Sequence, residues 1–131
     1  MGAARKIDGM DGVHTHMTNT RNTPTEVIEM ADPLFVTKYA LLTESEGAGE
    51  YRGGLGLTRE VILLDHEACV TISTERSYTS PWGLNGGLDG AHSHCLLEAE
   101  DGTVEVLPAR MTKTLPADHK VVLQTPGGGG M

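Results

Sequence analysis

Apolar residues along this chain fall in short runs broken by glycine, and their spacing predicts strands far more often than helices. Leu34 to Leu42 (Leu-Phe-Val-Thr-Lys-Tyr-Ala-Leu-Leu) is rich in β-formers and aromatics. Leu57 to Leu64 alternates, with Thr58, Glu60 and Ile62 on one side and Arg59, Val61 and Leu63 on the other. Ala68 to Thr74 sets Cys69, Thr71 and Ser73 opposite Val70, Ile72 and Thr74, after an Asp65-His66-Glu67 turn. Ala91 to Glu100 and Thr103 to Leu107 flank Asp101-Gly102, a strong hairpin signal, and Lys120 to Gln124 forms a last strand. One helix is predicted: Thr23 as N-cap, Pro24 at the first helical position, Glu26 three after the cap, and Asp32-Pro33 as the stop. Its apolar face is Val27, Ile28 and Met30. Six strands and one short helix, with no internal repeat or dividing linker, predict one domain over residues 1–131. Its class is mainly β, with antiparallel sheets in a barrel-like or sandwich arrangement.

The stretch Asp11 to Pro24 fits no strand or core pattern. Nearly every side chain in it donates or accepts hydrogen bonds, and His14 and His16 are two apart. In an extended segment both imidazoles share a face and can reach one metal ion or one substrate, with Asp11 as an oxygen ligand or the partner that fixes a tautomer. The alternative is that both histidines hydrogen-bond nearby backbone. Asn19 supplies an amide, and Arg21 a fork able to grip a carboxylate or phosphate; the same groups also suit a network of side-chain-capped turns. His14, His16, Asn19 and Arg21 are the candidate site residues, and whether a metal belongs there is open.

Three other groupings read as structure first. Arg52-Gly53-Gly54-Leu55-Gly56 lacks the Lys-Ser/Thr ending of a phosphate loop and precedes a strand, which predicts a tight turn with close backbone packing. His92-x-His94-Cys95 offers metal-type residues, but edge-strand polar residues beside a buried cysteine are the favoured account. Glu75-Arg76 followed by Pro81-Trp82-Gly83 suggests a salt-bridged corner closed by the only tryptophan.

Composition narrows the partners. Ten basic against eighteen acidic residues give a net charge of −8, which disfavours nucleic acid and anionic membrane surfaces. No apolar run suits a membrane span and the start lacks a signal-peptide plan, so a cytoplasmic protein with Cys69 and Cys95 reduced is expected. Seventeen glycines in 131 residues, clustered rather than periodic, imply special backbone geometry.

Four motifs then follow in order: Asp11-Gly12-Val13-His14-Thr15-His16-Met17-Thr18-Asn19-Thr20-Arg21; Tyr51-Arg52-Gly53-Gly54-Leu55-Gly56; Pro81-Trp82-Gly83 with Gly86-Gly87 and Gly90; and Thr125-Pro126-Gly127-Gly128-Gly129-Gly130. Together they resemble the C-terminal region of the hydantoinase B/oxoprolinase family. The resemblance implies work beside an actin-like ATPase, a hydantoinase A-type subunit that holds ATP and Mg and phosphorylates the substrate oxygen. The B-type subunit then completes hydrolysis of a cyclic amide such as a hydantoin, 5-oxoproline or a lactam; relatives carboxylate ketones such as acetone. It also implies sheets joined to a bundle of polyproline-II-like, glycine-rich segments, which pack closely only where side chains are absent. The family's metal-binding residues lie upstream of this region, so no cofactor is expected on this chain itself. Homo- or hetero-oligomers are expected. Met131 stands where an aromatic is usual, and Ala117-Asp118-His119-Lys120 lacks the usual Gly-Asp turn. The expectation is therefore a fragment inactive by itself, with a non-catalytic scaffold or assembly module, or part of a ketone carboxylase, as the alternatives.

Overall fold

A computed structural model describes every residue except His16 and Thr18. Among the described residues, one helix, α1 (Thr25–Ala31), precedes seven strands: β1 (Leu34–Leu42), β2 (Gly56–Leu63), β3 (Ala68–Ser73), β4 (His94–Glu98), β5 (Val104–Val106), β6 (Arg110–Leu115) and β7 (Lys120–Gln124). They form a five-stranded sheet in the order β1-β2-β7-β4-β5 and a two-stranded sheet of β3 and β6. Every strand pair is antiparallel. The core draws Leu63, Cys95, Leu97 and Val121 from the larger sheet and Ile72 and Leu115 from the smaller, with Leu107 between β5 and β6. Among the described residues no ladder joins the sheets into a closed barrel, so of the two predicted arrangements the molecule adopts the sandwich.

The bounds of β1 and β7 are those read from the sequence, and β3 sets Val70 and Ile72, opposite Cys69, Thr71 and Ser73 as expected, against the core. Asp101-Gly102 makes the β4–β5 turn, where the Asp101 carboxylate accepts the Thr103 N–H at 2.8 Å. Strand β4 begins at His94 rather than Ala91 because the preceding amides are committed elsewhere: Ala91 N–H to Ser45 O (2.7 Å) and Ser93 N–H to Arg76 O (3.0 Å). The unpredicted seventh strand, β6, has only Met111 and Leu115 as apolar residues and lies between Pro108 and Pro116. One ladder is enough to hold it, with Met111 opposite Ile72 and Leu115 opposite Ala68.

The helix starts one residue later than its sequence signals suggest. Pro24 has an extended ψ of 144°, which makes it the cap, and no side chain caps the helix; Thr23 then stands outside it. The Pro24 carbonyl accepts from Val27 and Ile28 N–H instead. No residue of α1 is buried, and Val27 and Met30 are 50% and 87% exposed, so the predicted apolar face packs on little within this chain. A clasp to the sheet comes from Glu29, whose carboxylate accepts the Val36 N–H at 2.9 Å. Among the described residues, no helix is long and apolar enough to cross a membrane.

Beside the sandwich lies a bundle of extended, glycine-rich segments. Gly127 to Gly130 are all buried in its middle. Their backbone bonds radiate to separate segments: Gly128 N–H to Gly54 O and Gly47 N–H to Gly128 O (both 2.8 Å), and Ala3 N–H to Gly129 O and Gly130 N–H to Leu88 O (both 2.9 Å). Met131 and Tyr51 exchange a reciprocal pair of 2.9 and 2.8 Å. Bonds pointing to several neighbours in turn, rather than into one ladder, satisfy every buried amide only if those neighbours close in. A Cβ on Gly53 would sit 1.9 Å from Gly128 O, and one on Gly127 would sit 1.8 Å from Ser45 O, both against backbone that cannot rotate away.

Gly53→Ala or Gly127→Ala is therefore expected to cost more than about 3 kcal/mol of stability in urea unfolding, at the severe end for single substitutions. Gly2→Ala, whose added Cβ would meet its nearest atom at 3.5 Å, is expected to leave the midpoint unchanged. A wild-type midpoint for Gly53→Ala would show that the bundle is not closed.

Candidate functional site

The polar segment is tied down at its first residue. Asp11 takes the Arg52 guanidinium in a two-point grip, Nη1 to Oδ1 at 2.8 Å and Nη2 to Oδ2 at 3.2 Å, and also accepts the Leu55 N–H at 2.8 Å. Gly12 N–H donates to Leu55 O at 2.9 Å, and Gly9 N–H to Arg52 O at 2.7 Å. The Arg52 hydrogen bonds, then the Leu55 amide, draw the Asp11 carboxyl down to about 2. Three of the acceptor positions of Asp11 are thus engaged by Arg52 and backbone, which makes it first an anchor of the segment. The first two sequence motifs thus meet as one joint.

Beyond that joint, His14 is exposed and lines a groove of about 640 Å³ whose walls include Val70 to Thr74 of β3 and its following turn, Glu75, Arg76, and Leu123 to Pro126 at the end of β7. Asn19 and Arg21 are exposed. Asn22 donates its amide to the Tyr39 hydroxyl, which fastens the far end of the segment to β1. Tyr39 in turn lies under the Arg59 guanidinium, 5.5 Å from ring centroid to carbon. The pairing of His14 with His16 falls outside the described residues. So of the four predicted side chains the structure places His14 in the groove wall and leaves Asn19 and Arg21 at the surface.

The second histidine cluster is part of the framework. Cys95 is buried in the core, and burial pushes its thiol up to about 11. His92 Nε2 is 3.2 Å from Ser80 Oγ, and its ring lies 6.5 Å from that of His94. Among the described residues, no three His, Cys, Asp or Glu side chains come close enough to hold a metal ion. Both cysteines are free thiols.

Sequence reasoning missed how the corner after β3 is wired. Glu75 pairs with Arg110 (2.7 Å), not Arg76, while Arg76 stacks 4.8 Å over the Trp82 ring. The expected Glu75-Arg76 bridge fails because adjacent residues diverge from the turn and β6 brings Arg110 alongside. Thr74 Oγ1, Ser77 Oγ and Ser93 Oγ form a chain with 2.9 Å links. Serine and threonine at separations of 3 and 16 residues carry no recognisable spacing, so only the fold reveals it.

Because Asp11 titrates lower folded than unfolded, its charge stabilises the fold above the ordinary carboxylate range, and that contribution is lost as pH falls from about 4 towards 2. Asp11→Asn is expected to lower the melting midpoint at pH 7, with the gap to wild type closing as both are taken to pH 2. A gap of the same size at both pH values would show that the charge is not what holds the joint.

The sequence model of the Hydantoinase B/oxoprolinase family matches residues 1–131. Arabidopsis thaliana 5-oxoprolinase 1 is 38% identical over 129 residues, covering 98% of this chain and 10% of the relative. Other curated relatives it matches are likewise about ten times its length, at 10% coverage. Among solved structures, nucleotide-free acetone carboxylase superposes with a TM-score of 0.79 at 17% identity, over 98% of this chain and 22% of that one. The ATP-dependent caprolactamase of Pseudomonas jessenii gives 0.70 at 23% identity, over 93% and 24%. Those two likenesses show a shared fold, and the family match and the oxoprolinase identity show the lineage: this chain belongs to the hydantoinase B/oxoprolinase family.

Proposed function

We propose that this chain forms part of an ATP-dependent amidohydrolase that opens cyclic amides, a hydantoin, 5-oxoproline or a lactam, together with a hydantoinase A-type ATPase subunit. The observation that carries the reading is the exposed polar segment, fixed at one end by Asp11–Arg52 and at the other by Asn22–Tyr39, opening with His14 onto the groove between the sheets. The ATPase subunit, with its own ATP and Mg, activates the amide by phosphorylating its oxygen. His14 and His16 then orient the attacking water and take its proton, while Asn19 and Arg21 donate hydrogen bonds to the substrate. Two free thiols suit a reducing, cytoplasmic setting.

A second reading, an assembly module without catalysis, is favoured by one feature: Tyr78, Trp82, Leu84 and Leu88 are all exposed on one loop. The two separate in one experiment on the complex with an A-type ATPase. His14→Ala and Arg21→Ala are expected to leave co-elution and the melting midpoint intact while lowering ATP-dependent ring opening by about 100-fold, the scale of a lost general base. Undiminished turnover in both variants sinks the catalytic role, and co-elution with no turnover in the wild type supports the module.

A further inference from the structure

The turn that leaves β3 presents an arginine in a costly conformation. Arg76 has φ of 61°, the left-handed region that residues with a side chain seldom occupy and that surrounding structure must enforce. Here the enforcement is visible. Ser93, itself buried, donates its N–H to Arg76 O at 3.0 Å and its hydroxyl to Glu75 O at 2.5 Å. Ser77 Oγ, 2.9 Å from Ser93 Oγ and 2.9 Å from Thr74 Oγ1, locks the turn on its other side.

What this holds in place is a guanidinium with no acid. Among the described residues Arg76 has no carboxylate partner. Among the described residues its guanidinium makes one hydrogen bond, to Ser80 O, long at 3.5 Å, and its neighbour Glu75 is taken by Arg110. In a chain with eighteen acidic residues, leaving a half-buried guanidinium unpaired is not for want of carboxylates. Stacking on Trp82 engages the flat face of the group and leaves its N–H edges free to donate. Arg76 also lines the groove that His14 opens onto.

We propose that Arg76 is a specificity-determining residue that receives an anionic group, a carboxylate or a phosphoryl, of the molecule bound in the groove. The inference rests on reading that groove as the substrate site. Both anions fit the proposed reaction: 5-oxoproline carries a carboxylate, and activation by ATP places a phosphoryl on the amide oxygen. Two planar N–H edges suit either by paired, charge-assisted hydrogen bonds.

The test is calorimetric titration of the chain with 5-oxoproline, inorganic phosphate and the uncharged 2-pyrrolidinone. Saturable heat is expected from at least one anion and not from the neutral lactam. Arg76→Gly removes the guanidinium and at the same time relieves the left-handed strain, so it is expected to weaken anion binding about tenfold or more without lowering the melting midpoint. Arg76→Lys keeps the charge without the fork and is expected to recover part of the loss. Binding of 5-oxoproline assigns a carboxylate, and binding of phosphate alone a phosphoryl. Equal affinity in wild type and Arg76→Gly, no saturable response to either anion, or equal binding of the neutral lactam overturns the proposal. The titration needs neither ATP nor a partner, so absent ring opening with intact, Arg76-dependent anion binding removes only the proposed reaction.

Discussion

Backbone packed directly on backbone is the constraint on which this structure depends. Gly127 to Gly130 have no side chains to bury, and the backbone bonds of Gly128, Gly129 and Gly130 run to several separate segments. Each partner comes from a different part of the chain: Ala3, Gly47, Gly54, Leu84 and Leu88 all bond this one run. The arrangement is therefore all or nothing in space. Every segment must arrive before any is fully satisfied, which places the cost of long loop closures early in folding and the return late.

The same bundle fixes the candidate site. Tyr51 is bonded reciprocally to Met131 and Gly54 accepts from Gly128, which pins the loop between them, and that loop carries Arg52. Arg52 holds Asp11, and His14 follows three residues later. On the other side, the glycine run is the direct continuation of β7, whose Leu123 and Gln124 line the groove. Groove wall and polar segment are thus both referenced to one buried strand of glycine. Displacing it would move the two together, which is why a glycine far from any reacting atom is expected to matter to the site's geometry.

How much of this was legible in the sequence depended on how local its cause is. The β-forming run Leu34–Leu42, the short run Lys120–Gln124 and the Asp101-Gly102 turn are properties of a few neighbouring residues, and those elements form as read. Strand β6 was not legible because one apolar residue at each end suffices once β3 supplies the ladder. The helix cap was misplaced by one residue because Pro24 suits either role, and its extended ψ decided. At the site, motif order pointed to the family and to Asp11 through Arg21, but the meaning of Asp11 lay in Arg52, forty-one residues away. The Arg76–Trp82 stack and the Thr74–Ser77–Ser93 hydroxyl chain likewise exist only after the β3 turn closes on the segment before β4.

The two structural likenesses sharpen what the scaffold can and cannot dictate. One belongs to a protein that carboxylates acetone and the other to one that acts on caprolactam, yet both superpose over more than nine-tenths of this chain at 17% and 23% identity. A backbone shared between such different chemistries does not select the substrate by itself. Selection has to come from side chains that face the ligand and that the glycine packing does not constrain. The bundle leaves little freedom, since most of its positions admit no Cβ. The groove wall is different: Thr71, Ser73, Glu75, Arg76 and Gln124 carry side chains on strand and turn rather than bare backbone packed on backbone. A fold held by its glycine bundle leaves the groove-wall side chains as the positions at which one scaffold can serve different reactions, and in this chain that wall carries charge at Glu75 and Arg76.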